Sequence, residues 1–203
     1  ILGPGFTCRA LLQESPAAPT PVEDADTFAG NAAKKAASFA QWLRSLETPA
    51  AQGSSGERTF VLADDSGLEV DALHGAPGVH SARFAALDSG RPGNSSDADN
   101  NAKLLRLLAP VPPPQRAARF RCALALVPVN RTAPPFESHS FEGICEGRIE
   151  ATPRGAGGFG YDPLFIPLGH QQSFAELGEA VKNRLSHRAQ ALAKLREWLI
   201  RQR

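Results

Sequence analysis

The sequence has 203 residues, 42% of them apolar, enough to bury one sizeable α/β domain or two closely packed lobes. Charged residues make up 21% and nearly cancel at a net +1, so no whole-surface field recommends nucleic acid or a membrane as partner, and an anionic ligand has to be held by a few placed cations. The cysteines Cys8, Cys122 and Cys145 form no CxxC pair, no run nears the roughly 20 apolar residues of a membrane span, and no signal segment is seen; a reducing, cytoplasmic location is expected.

Ile1 to Gly5 reads as a Gly/Pro break and Phe6 to Leu12 as a short strand. Ser15 to Pro21, rich in Pro and Ala, predicts a loop. Thr27 suits an N-cap, and Ala32, Ala36, Phe39, Ala40 and Leu43 recur at helical spacing, so a helix is predicted from Asn31 to about Leu46. Thr48 to Arg58 is Gly/Ser-rich and predicts an exposed loop. Phe60 to Ala63 fits a buried strand that ends at Asp64 and Asp65. Leu68 to Leu73 alternates like a second strand, followed by a turn over Gly75 to Gly78. Arg91 to Ser96 reads as loop and Asn101 to Leu108 as a helix that the prolines after Ala109 stop. Arg119 to Val129 and Ser138 to Glu150 predict two strands, then comes a glycine-rich loop from Arg154 to Pro163. Phe174 to Leu177 leads into a final helix from about His187 to Arg201. No internal repeat is found, and strands alternating with helices argue for an α/β sheet protein.

Three constellations carry chemistry. In Ala63-Asp64-Asp65-Ser66-Gly67, two adjacent carboxylates are costly at a strand end unless something binds them, and Mg2+ takes such oxygens together with phosphates. A polar turn with Asp capping nearby amides explains the same residues. In Gly157-Gly158-Phe159-Gly160-Tyr161-Asp162, glycines permit close backbone approach while Phe159 and Tyr161 offer stacking faces. A hairpin loop with its aromatics turned inward is the plainer alternative, and the run fits neither the P-loop nor the dinucleotide fingerprint. Lys182-Asn183-Arg184-Leu185-Ser186-His187-Arg188 places cations, a hydroxyl and an imidazole before a helix start, which favours anions. A solvated basic face is the alternative, and for Arg184 it is the reading adopted. Of the neighbours Lys34 and Lys35, only one can face a ligand, because they point about 100 degrees apart on a helix.

Order and combination decide what the pieces alone leave open. Thr27-Phe28 with Asn31, Lys35 and Ala36 resembles the TF-x-x-NA-x-x-KA signature of the inosine triphosphate pyrophosphatase family. Ala63 to Arg83 is nearly word for word its central motif, and Gly157 to Phe165 and Ser186-His187-Arg188 follow in the family's order. The resemblance implies a single domain over residues 1–203. It implies an elongated α/β fold with a long central mixed β-sheet, flanking helices, two lobes around a cleft, and a homodimer. It implies Mg2+-dependent hydrolysis of inosine, deoxyinosine and xanthosine triphosphates to the monophosphate and pyrophosphate, which clears deaminated purines. By the same resemblance Glu23, Asp64 and Asp65 hold the metal, with Asp65 the general base. Lys35 and Lys182 contact the triphosphate and Ser66 the substrate. Phe159 stacks on the base and Asp162 helps to hold it, and Gly160 and Tyr161 also bind the substrate. Ser186, His187 and Arg188 read the 6-oxo group.

The family pattern opens with a strand and a TGN-x-x-K loop, and Ile1-Leu2-Gly3 resembles the tail of the helix after it. The expectation is that about twenty residues of the pattern, with a phosphate-binding lysine, lie outside this sequence. That motivates an alternative, a non-catalytic purine-nucleotide-binding protein. A relative acting on modified pyrimidines is a further alternative, against which the Ser186-His187-Arg188 trio argues by resemblance.

Overall fold

The computed structural model describes residues 5–15, 17–46, 58–90, 92–129 and 138–202. The predicted loop over Thr48 to Arg58 falls outside them except for Arg58. The elements in order are α1 (Leu11–Glu14), α2 (Phe28–Leu46), β1 (Phe60–Val70), α3 (Asp97–Leu108), β2 (Ala117–Pro128), β3 (His139–Ile149), β4 (Phe165–Pro167), α4 (Phe174–Leu185) and α5 (His187–Arg201). The strands form one sheet in the order β1-β2-β3-β4, and β3 pairs with β4 antiparallel, Gly147 opposite Pro167. Among the described residues no helix is long and apolar enough to cross a membrane.

The chain divides into two units. The first comprises Ile1–Asp65, Ala123–Phe141 and Leu192–Arg203, and the second Ser66–Cys122 and Glu142–Ala191. In the first, α2 buries Phe28, Ala32, Ala36 and Ala40, one residue per turn. Alanine combines high helix propensity with a minimal side chain, so this stripe allows close packing. Thr27 Oγ1 accepts the Gly30 N–H at 3.1 Å, as an N-cap should. The run Ala123 to Val127 of β2 is buried at every position, the pattern of a strand covered on both faces. Trp198 gathers the aromatics of this unit, 4.2 Å from His139 and 5.9 Å from Phe141 between ring centroids.

The second unit has its own core. Leu68, Val70, Leu104, Leu108, Phe120, Ile149, Leu164, Phe165 and Phe174 are buried together. Phe120 and Phe165 pack 4.7 Å apart. Gly147 is needed here because a Cβ would lie 2.3 Å from the Ile166 carbonyl oxygen.

Three sequence expectations are corrected. Phe6 to Leu12 is not a strand: residues 6–10 are irregular and Leu11–Glu14 is a helical turn. The two strands predicted around Asp64 are one, because β1 runs without a break from Phe60 to Val70, and Asp71–Leu73 is a 3-10 turn. Phe174–Leu185 is a separate helix, started by a capping box in which Ser173 accepts the Glu176 N–H and Glu176 accepts the Ser173 N–H.

Candidate functional site

The continuity of β1 changes the reading of its paired acids. Successive side chains of a strand point to opposite faces, so Asp64 and Asp65 do not crowd each other. Asp64 is exposed, whereas the Asp65 side chain is 12% exposed. Asn31, fully buried on α2, donates through Nδ2 to Asp65 Oδ2 at 3.0 Å. Its Oδ1 accepts the Ala25 N–H at 2.9 Å, so both ends of the amide are used and the carboxylate is held in one orientation. Lys35, one helical turn on, brings its ammonium to 3.6 Å from Asp65 Oδ1 and 3.3 Å from Glu23 Oε2. Lys34 instead pairs with Asp24 at 2.6 Å on the exposed side, which settles which of the two lysines faces the acids. All these groups belong to the first unit. Among the described residues no three of His, Cys, Asp or Glu gather as a ready metal cage. Mg2+ needs none, since it commonly takes one or two protein carboxylates and fills its shell with water and phosphate.

A cavity of about 190 Å3 lies within the second unit, lined by Ser66, Asp97, Phe120, Phe159 to Asp162, Lys182, His187 and Arg188 among others. Phe159 is 61% exposed and presents its ring there. The Lys182 ammonium lies 4.1 Å from the ring centroid, and the Arg188 guanidinium lies 5.6 Å from it. Asp162, 2% exposed, ion-pairs with Lys182 and accepts the Phe159 N–H at 3.0 Å. A carboxylate so buried requires such partners. The Tyr161 ring is buried, and its hydroxyl donates to the Ser81 carbonyl at 2.9 Å. Burial, with a smaller push from the Asp97 charge, raises the Tyr161 pKa, so the phenol stays a neutral donor.

His187, the first residue of α5, is 5% exposed and stacks on Phe120 at 4.9 Å with planes 12° apart. Its Nδ1 is buried with no hydrogen-bond partner. Burial first, then the Arg188 and Lys182 charges, lower its pKa to about 3, so the ring is neutral at pH 7. Gly143 on β3 makes this position possible: a Cβ there would lie 1.9 Å from the His187 carbonyl oxygen and 2.7 Å from the Ala191 N.

The predicted residues therefore fall into two groups. Glu23, Lys35 and Asp65 meet in the first unit, which also holds Asp64. Ser66, Phe159, Gly160, Tyr161, Asp162, Lys182, His187 and Arg188 line the cavity of the second. Ser186 does not line it; its hydroxyl accepts the Ala189 N–H at 3.2 Å in the first turn of α5. Arg184 is exposed, as read from the sequence. Sequence reasoning missed Asn31 as the anchor of Asp65, and Asp97 and Asn101 as partners of Gly160. The capping sequence Ser96-x-x-Asp99 marked the start of α3, but nothing local tied that helix to a loop sixty residues on. A cavity of about 470 Å3 in the first unit, around Trp198, His139 and Arg58, contains none of the predicted residues.

The Ham1 family model matches residues 2–198. A dITP/XTP pyrophosphatase of Opitutus terrae is 50% identical over 181 residues, 89% of this chain and 77% of the relative. One of Shouchella clausii is 46% identical over 195 residues, 95% of this chain and 86% of the relative. Among solved structures, the Ham1 protein of Staphylococcus aureus superposes with a TM-score of 0.79 at 31% identity, covering 100% of this chain and 91% of that one.

Proposed function

The chain belongs to the Ham1 family, and from that premise we propose that it hydrolyses dITP, ITP and XTP to the nucleoside monophosphate and pyrophosphate. The relatives' activity favours this over the non-catalytic binding alternative. The observation that carries the reading is the cavity of the second unit. An exposed aromatic face is there combined with two cations and a buried, neutral imidazole whose Nδ1 has no protein partner.

A purine stacks on Phe159, whose backbone N–H is held by the Asp162 carboxylate. Arg188 is a donor at any working pH and cannot accept. A 6-oxo oxygen satisfies such a donor, whereas a 6-amino group adds a second donor and leaves both unpaired, which disfavours adenine nucleotides. The His187 ring contributes through Nδ1, whose proton position is set by the ligand.

The polyphosphate is assigned to the acid–lysine cluster. Asp65 takes the proton of the water that attacks the α-phosphorus; the bond from that phosphorus to the bridging oxygen breaks, and pyrophosphate leaves. Asn31 keeps one carboxylate oxygen engaged, so the other points in a fixed direction. Lys35, 3.6 Å from Asp65 Oδ1, is assigned to stabilising the charge that develops on the phosphates. The family implies Mg2+, and Glu23, Asp64 and Asp65 supply the hard oxygens it prefers. When bound, the ion neutralises charge that develops on the phosphate oxygens. The reading places the reaction in the cytoplasm and treats the whole chain as one functional domain.

The test is product analysis. Incubated with dITP and Mg2+, the protein is expected to yield dIMP and pyrophosphate in equal amounts. Formation of dIDP and phosphate, or no product, overturns the proposal.

A further inference from the structure

The aromatic loop is anchored from outside itself. Gly160 follows Phe159 and adopts φ 61°, a left-handed conformation that glycine takes without penalty. Both backbone polar groups of Gly160 are used by α3. The Asp97 carboxylate accepts its N–H at 2.6 Å, and the Asn101 amide donates to its carbonyl at 3.0 Å. Asp97 and Asn101 are four residues apart, so they share one face of the helix and grip the two peptide units that flank the Gly160 Cα. The neighbouring residues are tied differently: Phe159 by its own loop through Asp162, Tyr161 by Ser81. Asp97 also lines the cavity.

We propose that Asp97 and Asn101 are positioning residues that clamp Gly160 and thereby hold the Phe159 ring ready for the base; this deepens, and rests on, the purine triphosphate reading. A ring 61% exposed has little packing of its own to fix it. Release of Gly160 frees its φ and ψ, the torsions between the two held peptide units, and the base must then order the loop as it binds. A pre-organised loop avoids that cost. The clamp acts on the base alone, so affinity for the nucleoside monophosphate depends on it and affinity for pyrophosphate does not.

The experiment compares wild type with Asp97→Ala, Asn101→Ala and Asp97→Asn, by calorimetry with dIMP and pyrophosphate and by steady-state kinetics with dITP. The Asp97→Ala protein is expected to bind dIMP roughly three- to tenfold more weakly and to show a like rise in KM. Its kcat and its pyrophosphate affinity stay within about twofold of wild type. Asp97→Asn restores wild-type behaviour, because its amide oxygen still accepts the Gly160 N–H. Asn101→Ala gives the same pattern as Asp97→Ala and stands in for it if that variant does not fold. The clamp is refuted if dIMP affinity is unchanged in both alanine variants, if pyrophosphate affinity falls in parallel, or if Asp97→Asn behaves like Asp97→Ala. Failure of the functional reading shows separately, as a wild type that binds dIMP but releases no pyrophosphate from dITP.

Discussion

Lys182 carries its ammonium 4.1 Å from the centroid of the Phe159 ring while it ion-pairs with Asp162. The pairing has two effects. It compensates a carboxylate that is nearly sealed from water, and it leaves a charge beside the one aromatic face that a purine would cover. Base–aromatic stacking contributes about 1–3 kcal/mol when measured by alanine substitution. Phe159→Ala is therefore expected to raise KM for dITP by roughly ten- to a hundredfold and to change kcat much less. Phe159→Trp, which keeps the face, should stay near wild type; steady-state kinetics on both variants checks the pair.

Asp65→Asn keeps the shape and an acceptor for the Asn31 amide but removes the basic oxygen. General base catalysis contributes about 10²–10⁴-fold, so kcat should fall by at least a hundredfold. A variant that keeps full kcat shows that another group removes the proton.

His187 predicts acid sensitivity. Its pKa in the fold is lowered to about 3, whereas an unfolded histidine titrates near 6.5. Protons then bind the unfolded chain more readily, so this contribution to stability is complete above about pH 6.5 and is lost as the pH falls toward 3. Between pH 7 and pH 5 the loss due to His187 is about 2 kcal/mol. Urea denaturation of wild type and His187→Gln at both pH values measures it, and the variant should lose correspondingly less over that interval.

Gly143 predicts a steric effect on the same residue. A Cβ would sit 1.9 Å from the His187 carbonyl oxygen, which is backbone and cannot rotate away. Gly143→Ala has to push the start of α5 off β3, at a cost of about 1–3 kcal/mol. Because His187 moves with that turn, the loss of stability by urea denaturation should be accompanied by a rise in KM for dITP.

Much of this was legible in the sequence, and the gaps have physical causes. The ordered motifs gave the family, and the periodicity in α2 gave its buried face. The run Asp64-Asp65-Ser66-Gly67 looked like a turn because paired acids and a glycine disfavour strands. Tertiary partners such as Asn31 and Lys35 help to make a continuous strand tolerable there. Helix α4 was overlooked because Gly178 breaks it, with φ 74° and ψ 170°, although Ser173 and Glu176 announced its start. The Asp97–Gly160 bond joins residues 63 apart, a distance that no local pattern spans.

The central claim is that the cavity beside Phe159, His187 and Arg188 selects 6-oxo purines for pyrophosphate release. The most direct test is the ratio of kcat/KM for dITP to that for dATP, measured on wild type as pyrophosphate formed with Mg2+ present. Recognition of the 6-oxo oxygen by the Arg188 donor predicts a ratio of at least about a hundred. A ratio near one, or a preference for dATP, contradicts it.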